Sequence, residues 1–177
     1  MKFFEQHARR FLEAHAKELD KLRDTYNGFD FGVFAFNNKM KFAAGMTRVV
    51  LIGRDFVIQI DKPQEMIGSW KRFGNCYQEY RNYKMTVEDG YDYLFAEIIK
   101  VKAGHHFYYI MPRVDTNNSY DDYAWDLEFL SEEEQNYLMD KFQDLHDENY
   151  GFDEYGDLKI FDYAVTVAYY MNYERRH

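Results

Sequence analysis

Apolar residues recur at steps of mostly three and four from Phe4 to Leu22 (Phe4, Ala8, Phe11, Leu12, Ala16, Leu19, Leu22), and beyond Asn27-Gly28 the recurrence shortens to that of strands. The first stripe predicts a helix packed on the domain, stopped by Asn27-Gly28. After it, FDFGVFAF (29–36), KFAAGMTRVVLIG (41–53) and DFVIQID (55–61) are read as three antiparallel strands, broken at Asn37-Asn38 and Gly53-Arg54-Asp55. A polar bend, KPQEMIGSW, leads to a second helix near 70–85 that carries Glu79. YDYLFAEIIKVKAGHHFYYIMPRV (91–114) reads as two strands about the turn Lys102-Ala103-Gly104. Ser131 and Glu134 form a capping box that opens a helix over about 132–143. A loop, a β-hairpin and an aromatic segment expected to be helical close the order. Such segregated runs indicate an α+β fold and not alternating β/α units.

A length of 177 residues suits one domain, or one domain of two small lobes, and suffices to bury a core without covalent staples. The single cysteine, Cys76, excludes a disulfide framework and a multi-cysteine zinc site. It fits a reducing compartment, so a cytoplasmic location is expected. No run approaches the roughly 20 apolar residues of a membrane span, and the start lacks an apolar signal region, so no membrane partner is expected. A net charge of −9 argues against direct nucleic-acid binding, which needs clustered Lys and Arg. It favours a basic protein partner, as does the content of 17 Tyr, whose rings pack while their hydroxyls stay wet.

Residues 144–164, DLHDENYGFDEYGDLKIFDYA, set Asp144, Asn149 and Asp162 around a short hairpin with the turn Glu154-Tyr155-Gly156-Asp157. Three oxygen-bearing side chains held by a loop and a strand end suit a divalent metal and its phosphate. The same residue types also form turns in an acidic chain.

This stretch resembles the protein-kinase-like fold, including its aminoglycoside-phosphotransferase branch, where D-L-x-x-x-N, a hairpin and D-F-G follow in order. Asp144-Leu145-His146-Asp147-Glu148-Asn149 matches the first motif, and Asp162-Tyr163-Ala164 stands where the last belongs. His146 after Asp-Leu is similar to the small-molecule branch and to compact kinase-like proteins of bacteriophages. The resemblance implies an added N-terminal helix (1–28), an antiparallel β-rich N-terminal lobe with the Glu79 helix (29–114), and a truncated C-terminal lobe with the catalytic-type loop (115–177). It implies ATP and Mg²⁺ as cofactors, Asp144 as catalytic base, His146 at the γ-phosphate, and Asn149 and Asp162 as metal ligands. FVIQI (56–60) falls in place of the family's V-A-I-K strand, and Glu79 in place of the glutamate that pairs with its lysine. FYYIMPRV (107–114) stands where a strand leads into the adenine hinge, with Met111 to Arg113 near its edge.

The chain departs from that pattern at several positions. Gln59 occupies the lysine position, and Lys62 faces the other way unless a bulge intervenes, because strand side chains alternate. FAAGMTRVV has one glycine, Gly45, where the family's phosphate-covering loop has three. Arg48 can restore positive charge there, although an arginine on a strand edge is more often solvated. After Asp162 the sequence continues only to His177, so no activation segment, no A-P-E motif and no helical substrate-binding half are expected. Losing the lysine removes charge where electrostatics does most of the work. These departures favour a degenerate, pseudokinase-type protein, similar to phage-encoded ones, that binds a host or defence protein. The alternatives are an active Mg-ATP-dependent phosphotransferase with Asp144 as base, and an acidic mimic of nucleic acid.

Other constellations read more plainly. His105 and His106 are adjacent on a strand and face opposite sides, so a solvated pair is expected and not a metal site. Glu132, Glu133 and Glu134 complement a helix dipole. Cys76 reads as a small buried residue. The acidic loop of 115–130, with Tyr120, Tyr123 and Trp125, is either solvated or a contact surface.

Overall fold

Helix α1 (Phe3–Asp24) buries Phe4, Ala8, Leu12 and Leu19, the stripe that the spacing predicts. The architecture is that of a computed structural model, which describes residues 1–67, 75–116, 130–143, 145 and 149–168. The next segment departs from expectation: FDFGVFAF is not a strand but the core of helix α2 (Gly28–Asn37). Its apolar residues at 29, 31, 33 and 35 satisfy a period of two, yet Phe31, Phe34 and Ala35 also share one helical face, and these are the buried ones. The Asn27 side chain accepts the Phe29 amide at 3.0 Å and so caps the helix start.

KFAAGMTRVVLIG, read as one strand, folds back at Gly45-Met46-Thr47 into β1 (Lys41–Ala44) and β2 (Arg48–Ile52). Strand β3 (Phe56–Asp61) follows the expected break at Gly53-Arg54-Asp55. A short helix α3 (Gln64–Ile67) stands within the polar bend, and helix α4 (Cys76–Asp89) carries Glu79. Strands β4 (Ile99–Ala103) and β5 (His106–Pro112) turn at Gly104-His105, just beyond the expected position. Helix α5 (Glu132–Lys141) opens with the predicted capping box of Ser131 and Glu134. The hairpin of β6 (Tyr150–Phe152) and β7 (Leu158–Ile160) lies where the sequence puts it. Tyr120, Tyr123, Trp125 and most of the aromatic terminal segment lie outside the described residues.

The order β1-β2-β3-β5-β4, antiparallel at every pairing, makes one five-stranded sheet in a mixed α+β fold. Strand alternation gives that sheet two different faces. Val49, Leu51, Ile58, Ile60, Tyr108 and Ile110 point to α1 and α2 and form the first core. Each such side chain, fully buried, contributes about 1.5–3 kcal/mol. The opposite face carries Arg48, Val50, Gln59, Tyr109 and Met111, brought abreast by the pairings Val50↔Gln59, Gln59↔Tyr109 and Val57↔Met111. Helix α4 and the β6–β7 hairpin pack towards this face around Cys76, Tyr109, Met111 and Ile160. Among the described residues no helix is long and apolar enough to cross a membrane.

A polar anchor fixes α1 to the sheet. Buried Asp20 accepts the His105 amide and the Tyr108 hydroxyl, each at 2.7 Å. Gly104 has φ +59°, and a Cβ there would collide with the Asp20 carboxylate, so glycine is required twice over. His105 stays exposed at the turn while His106 hydrogen-bonds Asp24 at 2.8 Å.

Burial pushes the Asp20 carboxyl up, but the His105 amide and the Tyr108 hydroxyl outweigh it and hold the group below its ordinary value of 3.8. A depressed folded-state pKa gives stability that is complete above the unfolded value and is lost as pH falls through the folded one. Asp20→Asn turns an amide NH₂ towards a donor, so urea unfolding at pH 7 is expected to show a loss of about 1–3 kcal/mol. The same variant is expected to show a shallower fall in stability below pH 4 than the parent; equal slopes would rule the anchor out as the source.

Candidate functional site

The second face of the sheet is assembled from its helix inwards. Asp61, at the end of β3, accepts the Cys76 amide at 2.8 Å, and the Asn75 side chain accepts the Gln78 amide at 2.8 Å. These two caps fix the first turn of α4, so Glu79 is directed at β2 and is fully buried. There it meets Arg48, which is also buried and not solvated as its strand-edge position suggests. One guanidinium nitrogen of Arg48 bonds Glu79 Oε2, and the other bonds Asp162 Oδ1. Glu79 Oε1 accepts the Asp162 amide at 3.0 Å, which closes a ring of three side chains from β2, α4 and the segment after β7.

Gln59 lies alongside: Arg48 Nη1 approaches its Oε1 at 3.5 Å, and its Nε2 donates to Met111 Sδ at 3.2 Å. Burial opposes the charge on Arg48, but the carboxylates of Glu79 and Asp162 outweigh it and raise its pKa above the ordinary value. Burial pushes the Glu79 carboxyl up, and Arg48 acts against that push.

Asp162 has φ +58°, a left-handed conformation that Asp adopts more readily than most residues. The segment is pinned on both sides. Asn82, one turn beyond Glu79, donates to the carbonyls of Tyr163 and Ala164 at 2.7 and 3.0 Å. The Tyr163 hydroxyl donates to the Ala96 carbonyl at 2.7 Å. Asn149 is buried in the β6–β7 unit, where its carbonyl accepts the Phe161 amide at 2.8 Å, next to Asp162.

Above this ring lies a cleft of about 550 Å³, within the usual range for small-molecule pockets. Its walls include Lys41, Gly45, Arg48, Gln59, Met111, Arg113 and Asp162. Five of the positions singled out in the sequence therefore converge on one cavity: Gly45, Arg48, Gln59, Met111 and Asp162. Glu79 sits against its wall through Arg48. Asp144 and His146 lie outside the described residues. The segment after β5 is tied down rather than open: the Arg113 amide donates to the Asp55 carbonyl at 3.1 Å, and Asp115 exchanges two backbone bonds with Phe152 at 2.8 and 2.9 Å. Gly151 allows that docking, since a Cβ there would stand 2.7 Å from the Asp115 carbonyl oxygen.

Sequence reasoning passed over Asn82 and Asp61. Asn82 was detectable, because three residues after Glu79 puts it on the same helical face. The cap by Asp61 depends on where β3 ends against α4, which spacing does not give.

At Asp162, where the resemblance implies a divalent metal, one carboxylate oxygen is taken by Arg48. An ion on the same carboxylate would also face the positive charge of that guanidinium. Among the described residues, no group of three or more His, Cys, Asp or Glu is placed to hold a metal.

No family model matches the chain, and no curated protein matches it. Among solved structures, the medium resolution structure of the bifunctional kinase-methyltransferase WbdD is similar, with a TM-score of 0.37 and 14% identity. That likeness covers 68% of this chain and 30% of the other, so the chain spans under a third of that protein's length.

Removing one partner of a buried ion pair costs far more than removing both. Arg48→Met is expected to lower unfolding free energy at pH 7 by about 3–5 kcal/mol, with Glu79 left buried and unpaired. With no cation beside it, the Glu79 pKa rises further, so this deficit shrinks as pH falls below the folded value. Arg48→Met combined with Glu79→Leu is expected to regain most of the loss. Equal denaturation midpoints for the single and double variants would mean that the pair is not coupled.

Proposed function

We propose that this chain is a degenerate, pseudokinase-type protein, built on a kinase-like first lobe, that acts by binding another protein and not by transferring phosphate. One observation carries the reading: the guanidinium of Arg48 takes up both the glutamate that a lysine would pair with and the aspartate that a metal would need. The order of elements supports the kinase-like assignment, with a β-sheet, a helix bearing Glu79, and a hairpin followed by Asp162, all around one cleft. Two carboxylates take up the guanidinium of Arg48, so positive charge for a triphosphate would have to come from elsewhere on the cleft wall, at Lys41 and Arg113. The net charge of −9 directs the search for a partner towards basic, host-encoded proteins.

Thermal unfolding with millimolar ATP, with Mg²⁺ or with EDTA, tests the reading, because a ligand of the folded state raises the midpoint. The parent is expected to show no Mg²⁺-dependent rise and no turnover of ATP labelled on the γ-phosphate. Gln59 lies beside Arg48 on the face that Glu79 meets, so Gln59→Lys combined with Arg48→Ala is designed to restore the pairing cation and release Asp162. A Mg²⁺-dependent rise is expected to appear in that double variant. A Mg²⁺-dependent rise in the parent that disappears in Asp162→Ala would overturn the proposal in favour of an active phosphotransferase.

A further inference from the structure

Helix α2 is apolar on both sides. Its inner face buries Phe31, Phe34 and Ala35, while Phe29, Val33 and Phe36 stand 76%, 42% and 82% exposed on the outer face. Isolated exposed phenylalanines need no account, but steps of four and three make these contiguous. Together they present about 400 Å² of apolar surface, as large as the largest patch on a typical monomer, which is often functional.

We propose that this face is the two-fold interface of a homodimer, in which α2 packs antiparallel on the α2 of a second copy. The pattern is symmetric about its own middle: Phe29 and Phe36 flank Val33, so an antiparallel copy sets each Phe29 beside the partner's Phe36, with Val33 near the axis. Gly32 lies at that middle. Among the described residues, a Cβ there would meet only Phe42 Cδ1, at 3.9 Å. Glycine weakens a helix interior, and a small residue beside the Phe29–Val33–Phe36 stripe lets a second helix approach closely.

Charge selects the same occupant. A chain of net charge −9 repels its copies, yet α2 bears one charged residue, Asp30, in its first turn, while Lys39 and Lys41 follow its other end. Antiparallel pairing brings Asp30 of each copy towards Lys39 of the other, a self-complementary arrangement that an anionic lipid surface does not offer. The apolar patch supplies about half of the roughly 800 Å² per partner that a standard interface covers.

Sedimentation equilibrium of the full chain across the micromolar range is the test. The parent is expected at twice the 21.5 kDa of one chain, and Phe29→Asp/Phe36→Asp at the single mass with an unchanged circular dichroism spectrum. Phe3→Asp, on an exposed phenylalanine of α1, is expected to leave the dimer intact. Because the one native cysteine, Cys76, is buried, Val33→Cys reports the axis directly: a short bis-maleimide is expected to link two such chains. Met139→Cys, exposed on α5, is expected to give no such product. A parent that sediments at the single mass throughout, or that gathers only on phospholipid vesicles, overturns the proposal. So does a dimer that survives Phe29→Asp/Phe36→Asp, or cross-linking no better at position 33 than at 139.

Discussion

One guanidinium between two carboxylates governs the second face of the sheet. Arg48 belongs to β2, Glu79 to α4 and Asp162 to the segment after β7, so a single charge sets the spacing of three elements far apart in sequence. Taking such charges out of water costs several kcal/mol per ion, and their attraction repays this only when geometry and further hydrogen bonds are good. The Asp162 amide on Glu79 supplies one of those bonds, and the clamp by Asn82 supplies the rigidity. The cluster therefore specifies an arrangement more than it stabilises one.

Its chemistry explains why Gln59 is tolerated where the resemblance leads one to expect lysine. Arg48 pairs across the strands with Asp61, and Val50 pairs with Gln59, so 48 and 59 are diagonal neighbours on one face. A lysine at 59 would place a second cation against the guanidinium. Arginine, unlike lysine, offers a planar fork that can hold two carboxylates in fixed directions at once. The neutral glutamine and the forked arginine are thus one solution and not two separate losses, and the cost falls on Asp162, one of whose carboxylate oxygens is taken by the guanidinium.

Much of this fold is legible in the sequence, and what is not legible has definite causes. The α1 stripe, the Ser131–Glu134 capping box and the β6–β7 hairpin follow from local patterns, and local patterns were enough. Helix α2 reads as a strand because FDFGVFAF is apolar at every second position and nearly all round, which leaves helix and strand undecided without the Asn27 cap. Motif order points to Gly45, Arg48, Gln59, Met111 and Asp162, which line one cleft, and to Glu79, which reaches it through Arg48. What sequence could not supply is register: only the pairing of β2 with β3 shows that Arg48 faces inwards to Glu79. Asp144 and His146 belong to the motif but not to the described geometry.

The two faces of the sheet meet at β1. Lys41, Ala43 and Ala44 line the cleft from that strand, while α2 packs against the same strand from the other side. The β1–β2 tip is held by Lys62, whose ammonium donates to the Gly45 carbonyl at 2.6 Å and whose amide donates to Thr47 at 2.9 Å. Whatever docks on α2 therefore pushes on a strand that already walls the cleft, through a hairpin whose next residue is Arg48. A strand with one neighbour is the softest member of a sheet, since only one ladder resists its displacement. An interface at α2 would stiffen that strand, and with it the wall from which the guanidinium reaches Glu79 and Asp162.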